Sequence, residues 1–396
     1  MNILNISQHF RLKGGSDVYF RSLTKLLKSY DHHVEEFASS DTDHDIYPVE
    51  IDFDKPSLGN ISKYIYNKEA KRKMKRFIDQ KEIDLAHLHI YYGKLSASIL
   101  SPLKDKGIPI IQTLHEYKLV CPTYKLYDGH ALCFDCKNNQ FYKSLNKKCN
   151  RGSLARTALS AIESYISLWN GAQHLIDHFI TVSEFQKRQM VAMGIDENRL
   201  STVHNFLDLS KYSQSPIIGD YVLYFGRLEK EKGLEVLLDA FEHLSSEVKL
   251  IIIGEGSYKD EMLQRIERIN AGKSRISYGG FLYGEALKEI ISSSKFVVVP
   301  SIWFETFGLT VIEAMAYGKP VIGSDIGGIS EIINDGEDGF LVEANNSNAL
   351  VTAIEKLFVS KEMVCEFGAN ARRNVEKRFT PAIHYENLMS IYKKLP

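Results

Sequence analysis

In the second half of the chain, Arg227 and Lys232 follow the apolar run Tyr221–Phe225 and precede a helical pattern that opens at Gly233. Two cations at a strand end leading into a helix can meet the charge of a diphosphate. On spacing alone, solvated loop charges are the plainer account. The stretch from Pro300 to Glu313, PSIWFETFGLTVIE, is a stronger signal. A strand is expected to end at Pro300 and a helix to start near Gly308, where unpaired N–H groups make an anion site. Glu305 precedes that helix and Glu313 lies within it, a little over two turns on, so both carboxylates can accept hydrogen bonds from sugar or ribose hydroxyls. The plainer accounts are an acid complementing the helix dipole for Glu305 and a surface helical residue for Glu313.

A third phosphate signal is Gly14-Gly15-Ser16-Asp17, between the first apolar run and the first helical pattern. Paired glycines let a ligand approach the backbone, or merely allow a tight turn. Neither this segment nor Gly254-Glu255-Gly256-Ser257 has the full GxGxxG spacing, which weakens a nicotinamide or flavin reading. His115 follows another apolar run; alone, it would most often be a core histidine. Cys121, Cys133, Cys136 and Cys149 fall within one segment, 118–152, with few apolar residues for a core of its own. Four thiolates with one CxxC knuckle suit structural zinc, the alternatives being an iron–sulfur cluster, a redox pair or unligated thiols. The fifth cysteine, Cys365, reads as a small buried residue.

These residues need a scaffold that presents strand ends. Apolar runs at Ile3–Ser7, Leu85–His89, Ile108–Leu114, Phe179–Val182, Tyr221–Phe225, Lys249–Ile253, Phe296–Val299 and Pro320–Gly323 alternate with helical patterns. That alternation predicts an α/β architecture with parallel sheets covered on both faces. The Ser-, Gln-, Pro- and Gly-containing stretch at 210–220 is the best boundary. It divides the chain into Rossmann-like halves at 1–205 and 216–375, with a helical tail at 376–396. A net charge of -1, from 49 Lys and Arg against 50 Asp and Glu, argues against a protein that coats nucleic acid. No apolar run is long enough to span a bilayer, and MNILNISQHF reads as a strand rather than a leader, so a cytoplasmic location is expected. The segment around Lys68, Lys71, Arg72, Lys73, Lys75 and Arg76, interleaved with Tyr64, Tyr66, Met74 and Phe77, reads either as a membrane-touching amphipathic helix or as a solvated charged one. A second basic stretch runs from Lys143 to Arg156.

Taken together, these segments resemble the family 4 retaining glycosyltransferases of the GT-B fold, in a cysteine-containing subgroup. The resemblance spans nearly the whole chain, through GGSDVYF, DLAHLH, TLHEY, TVSEFQKRQM, HNFLD, FGRLEKEKGLEVLLDAF, IIGEGSYKDEM, the ETFGLTVIEAMAYGKPVIGSD run, GGISEII and DGEDGFLV. It implies two Rossmann-like domains facing across a deep cleft, with the last helix crossing back to the N-terminal domain. Gly14, Gly15, Arg227 and Lys232 would then hold the donor diphosphate. Glu305 would contact sugar hydroxyls, and Thr306, Phe307, Gly308 and Leu309 would offer backbone to phosphate or sugar. Glu313 would bind the ribose, Gly280 and Leu282 would flank the base, and His115 would sit beside the donor sugar. Because many members of the family lack the cysteines, the resemblance does not establish a metal site.

The expected function is transfer of a hexose or N-acetylhexosamine from a UDP- or GDP-linked sugar to a glycan or lipid-linked acceptor, in surface polysaccharide synthesis. Peripheral contact with the cytoplasmic face of the inner membrane goes with it. No catalytic metal is expected, since fixed cations and a helix terminus can stabilise the leaving diphosphate. No DxD-type metal signature lies in a convincing place; the Asp41-Thr42-Asp43 run falls in an unassigned loop. The competing readings are a catalytically weak partner or glycan-binding subunit and a sugar-nucleotide epimerase of similar fold.

Overall fold

Runs rich in Val, Ile and Leu cannot leave either face of a strand in water, and here they become the interior strands of two parallel sheets. The computed structural model describes residues 1–8, 14–38, 61–215, 217–245, 247–271 and 275–395. The loop-like segment 41–59, with Asp41 and Asp43, lies outside these residues. The chain divides into two compact units, Met1–His204 with His384–Pro396, and Asn205–Ile383.

In the N-terminal unit, β1 (Asn2–Ser7), β2 (His33–Ala38), β3 (Leu85–Leu88), β4 (Ile110–Leu114), β5 (His178–Thr181) and β6 (Leu200–Thr202) form a sheet in the order β2-β1-β3-β4-β5-β6. In the second unit, β7 (Tyr221–Phe225), β8 (Lys249–Ile253), β9 (Ile276–Tyr278), β10 (Phe296–Val299), β11 (Val321–Ser324) and β12 (Gly339–Val342) are ordered β12-β11-β10-β7-β8-β9. The paired strands are parallel throughout. Every residue of β3, β4, β10 and β11 is buried.

The sequence patterns miss β2, β6, β9 and β12, and these four are the sheet edges. They are short or mixed in character, as in His33-Val-Glu-Glu-Phe-Ala and Leu200-Ser-Thr, because an edge strand has one neighbour and a partly wet face. In each sheet the chain first builds outward on one side and then returns to the other. The reversal falls between β1 and β3 in the N-terminal unit and between β7 and β10 in the second. Open α/β sheets bind ligands in the crevice at that point, beyond the carboxyl ends of the strands.

The helix Pro381–Tyr392 carries the chain back into the N-terminal unit. Tyr385 stacks on Tyr30 at 3.6 Å between ring centroids, and its hydroxyl lies 2.8 Å from His32 Nε2. Cys365 departs from expectation: it is exposed. The helix Lys361–Arg378 buries a stripe containing Val364, Phe367, Gly368 and Ala371, and Cys365 stands beside that stripe, not in it.

Candidate functional site

The loops at the switch point of the second sheet are held by backbone contacts that leave little room for side chains. Gly233 has φ of +72°, and a Cβ there would fall 1.7 Å from the Pro300 carbonyl oxygen. The Lys232 loop is thereby seated on the loop after β10, and the Ile302 N–H donates to the Glu231 carbonyl at 3.0 Å. Gly327 and Gly328 press on the Glu305–Phe307 backbone from the other side, the Gly328 N–H donating to the Glu305 carbonyl at 2.8 Å. The Tyr224 hydroxyl, from β7, donates to the Arg227 carbonyl at 2.7 Å and fixes where Gly226-Arg227 turns.

This packing brings Lys232 and Glu305 together. Lys232 Nζ lies 2.6 Å from Glu305 Oε1, the same oxygen accepts from Ser301 Oγ at 2.6 Å, and the ammonium sits 5.2 Å over the Trp303 ring. Burial pushes the Glu305 carboxyl up, but the charge and hydrogen bond of Lys232, with the Ser301 hydroxyl, outweigh it and hold the group below the usual carboxylate range. Arg227 is exposed, and its charge and that of Glu305 both act on Tyr224.

The helix Leu309–Ala316 begins beside this pair. Its first residue follows Gly308, at φ +120°, and no side chain caps it, so its leading N–H groups remain available to an anion. The Phe307 side chain is buried against Phe379, with ring centroids 5.5 Å apart. Only its backbone can face a ligand. Glu313 is half-buried, and burial pushes its carboxyl up to about 7. Its charge acts on Tyr212 and Tyr317. Gly280, at φ +76°, accepts from the Gly254 N–H at 2.8 Å. Leu282 beside it is half-buried, while Phe281 and Tyr283 are 63% and 78% exposed.

At the switch point of the first sheet, histidines gather. His89 Nδ1 lies 3.0 Å from His115 Nε2, and His89 Nε2 lies 2.7 Å from Asn5 Oδ1. Asn5 in turn donates to Thr24 Oγ1 at 2.9 Å. His87 Nε2 is 2.7 Å from Thr113 Oγ1, and its other nitrogen bonds the Tyr392 hydroxyl. His384 joins Tyr19 to the His204 carbonyl. Burial pushes His115 down to about 3 and His384 to about 4; burial and then the charges of His115 and His384 push His87 to about 3. His115 is therefore a neutral hydrogen-bonding group at neutral pH and a poor general base. Gly14 has an extended φ of -158°, and a Cβ there would meet no atom within 4 Å, so the local fold does not itself demand glycine.

Beyond His115, Lys118 forms a buried ion pair with Glu163 at 2.5 Å and donates to the Pro122 carbonyl and Ser164 Oγ, both at 3.0 Å. It ties the cysteine segment to the helix Leu154–Trp169. Cys121 and Cys136 are buried; Cys133 and Cys149 are half-buried. Burial, then the neighbouring sulfurs, push the Cys136 thiol up to about 12. The segment has more core than its sequence indicates, since Leu126, Tyr127 and Phe141 are buried.

A family model described as Glycosyltransferase Family 4 matches residues 13–211, half of the chain, and one for the group 1 glycosyl transferases matches residues 213–374. The chain belongs to glycosyltransferase family 4. This glycosyltransferase is 27% identical to an uncharacterized glycosyltransferase of Methanocaldococcus jannaschii, over 100% of this chain and 99% of that one. It is 26% identical to a phosphatidyl-myo-inositol mannosyltransferase of Mycobacterium leprae, covering 97% and 94% of the two chains. Among solved structures, Anabaena HepE in complex with UDP-glucose superposes with a TM-score of 0.72 at 20% identity, over 99% of this chain and 100% of that one. The fold is GT-B.

Of the expected site residues the structure brings Lys232 and Glu305 into direct contact, and Tyr224, Ser301, Gly327 and Gly328, to which the sequence reading assigns no role, hold these loops in place. His87 and His89 lie in the DLAHLH segment and receive no role from it. Two histidines at i and i+2 at a strand end share one face, which is a readable signal. His384 carries no such signal, because its partners are far away in sequence.

Proposed function

We propose that this glycosyltransferase moves a hexose or N-acetylhexosamine from a UDP- or GDP-linked sugar to a glycan or lipid-linked acceptor with retention at the anomeric carbon. The observation that carries the reading is the Lys232–Glu305 pair, 2.6 Å apart at a switch point and next to an uncapped helix N-terminus. Breaking the sugar–phosphate bond puts negative charge on the leaving diphosphate. Lys232, Arg227 and the N–H groups leading into Leu309–Ala316 supply fixed positive potential for that charge. Glu305, kept ionised by Lys232, can accept from sugar hydroxyls, and Glu313 from a ribose. In this reading Gly14 and Gly15 offer backbone to phosphate, Gly280 and Leu282 flank the base, and His115, neutral, hydrogen-bonds the sugar. In this reading attack is from the front face, with the leaving phosphate taking the acceptor proton.

The relatives' names support the substrate class. One is an O-antigen chain mannosyltransferase C of Escherichia coli, 29% identical over 54% of this chain, and HepE was crystallised with UDP-glucose. Surface polysaccharide synthesis at the cytoplasmic face of the inner membrane fits such company. No helix among the described residues is long and apolar enough to cross a membrane. Peripheral contact has weaker support at 68–79 than the sequence indicates, because Met74 and Phe77 face the core and leave a charged outer surface. The helix Leu154–Trp169 is a better candidate, with Leu154, Ile162 and Trp169 exposed.

The test is a thermal-shift screen of UDP- and GDP-sugars, followed by release of nucleoside diphosphate with and without acceptor, and product anomeric configuration by NMR. Acceptor-dependent release that disappears in Lys232→Ala and Glu305→Gln is expected. Binding of no nucleotide sugar, or full activity in both variants, sinks the reading.

A further inference from the structure

The segment 121–149 has little regular structure to hold it. It contains the short helical turns Lys137–Asn139, Phe141–Lys143 and Ser144–Lys147 and one isolated bridge between Tyr127 and Leu132. Of the nine described non-glycine residues with positive φ, six lie in or just beyond it: Tyr124, Leu126, Asn138, Asn139, Lys148 and Arg151. Each left-handed residue costs roughly 1–2 kcal/mol and persists only where its surroundings over-determine it. The segment still buries Leu126, Tyr127 and Phe141. Something beyond its backbone bonds must fix it.

We propose that Cys121, Cys133, Cys136 and Cys149 bind one zinc ion as four thiolates, stapling the loop that follows His115. All four side chains line the same cavity of ≈10 Å³, together with Ser144 and Lys147. A single ion fits a space of that size. None of the four is in a disulfide. The Ser144 N–H is directed to the Cys136 sulfur, and Lys147 Nζ lies 3.4 Å from Cys133 Sγ, so outer groups that support a thiolate centre are in place. Soft thiolate donors select zinc over calcium or magnesium. Among the described residues no group of three or more His, Cys, Asp or Glu side chains is already gathered to hold a metal ion. Binding therefore requires the four side chains to turn toward one another within the cavity they already line. Four thiol protons leave as four sulfur–zinc bonds form, giving a centre of charge -2 that Lys147 partly offsets.

The experiment uses the full chain purified without chelators. Elemental analysis is expected to find about one zinc per chain. Thiol alkylation followed by mass spectrometry should label the exposed Cys365 quickly and the other four only after zinc is stripped. Cys136→Ser should lose the metal. Should that variant fail to fold, cobalt substitution of the wild type gives an independent readout, a thiolate-to-cobalt charge-transfer band with tetrahedral visible absorption. Zinc below about half an equivalent with all five thiols alkylated alike overturns the proposal, as do iron with acid-labile sulfide or a disulfide among the four.

Discussion

Glu305 and Glu313 are eight positions apart yet are tuned in opposite directions, one held ionised by Lys232 and the other pushed up to about 7 by burial. Substituting Lys232→Ala or Glu305→Gln should lower kcat/KM by about 100-fold or more while folding is retained, read as sugar transfer beside a thermal melt. Glu313 makes a different prediction. Folded, it keeps its proton up to about 7; unfolded, a Glu releases it near 4.5. The folded state therefore binds more protons across that window, and stability falls as pH rises through it. Urea unfolding at about pH 5 and about pH 8 should show this loss in the wild type and less of it in Glu313→Gln. If Glu313 accepts from ribose, UDP binding near pH 7 should release protons, visible as buffer-dependent calorimetric heat that the same variant abolishes. The residue types proposed for the site could be read from the family resemblance and from their place at strand and helix ends; supports such as Ser301 on Glu305 could not, since hydroxyl partners carry no periodicity.

Interior strands and most helices are legible because their apolar runs answer to burial on both sides. The edge strands are not, because pairing with a single neighbour does not need an apolar run. Helix ends are readable where a glycine marks them. Gly233 is the clearest: φ of +72° and a neighbouring carbonyl oxygen leave no room for a Cβ. Gly233→Ala should cost ~3 kcal/mol or more and pull the Lys232 loop off the strand end, measured as loss of denaturation midpoint together with weakened nucleotide binding. The GGISEII segment is legible as a family match, but its role emerges only in three dimensions, where Gly327 and Gly328 lie against Glu305–Phe307 too closely for a Cβ.

For the whole molecule, the histidine cluster sets the acid limit. His87, His115 and His384 titrate at about 3 to about 4 when folded and near 6.5 when unfolded. The unfolded chain takes up protons first as pH falls below 6.5, so stability drops from there toward 4. Replacing His384 by Asn should shift the acid unfolding midpoint downward if its structural bonds are kept, followed by circular dichroism against pH. Tyr392→Phe removes the hydroxyl from buried His87 and should cost about 1–2 kcal/mol.

The placement of residues 384–396 in the N-terminal unit has a consequence for biosynthesis. During synthesis residues 1–204 of that unit emerge well before residues 384–396, which complete it. Until those later residues have been made, His87 has no phenol to meet and Tyr30 no ring to stack on. The second unit, contiguous in sequence, can therefore finish its core while the first is still waiting, which inverts the usual order of vectorial folding. A stalled nascent chain that stops short of residue 384 should accordingly be nicked by protease within residues 1–204 and resist within 205–383.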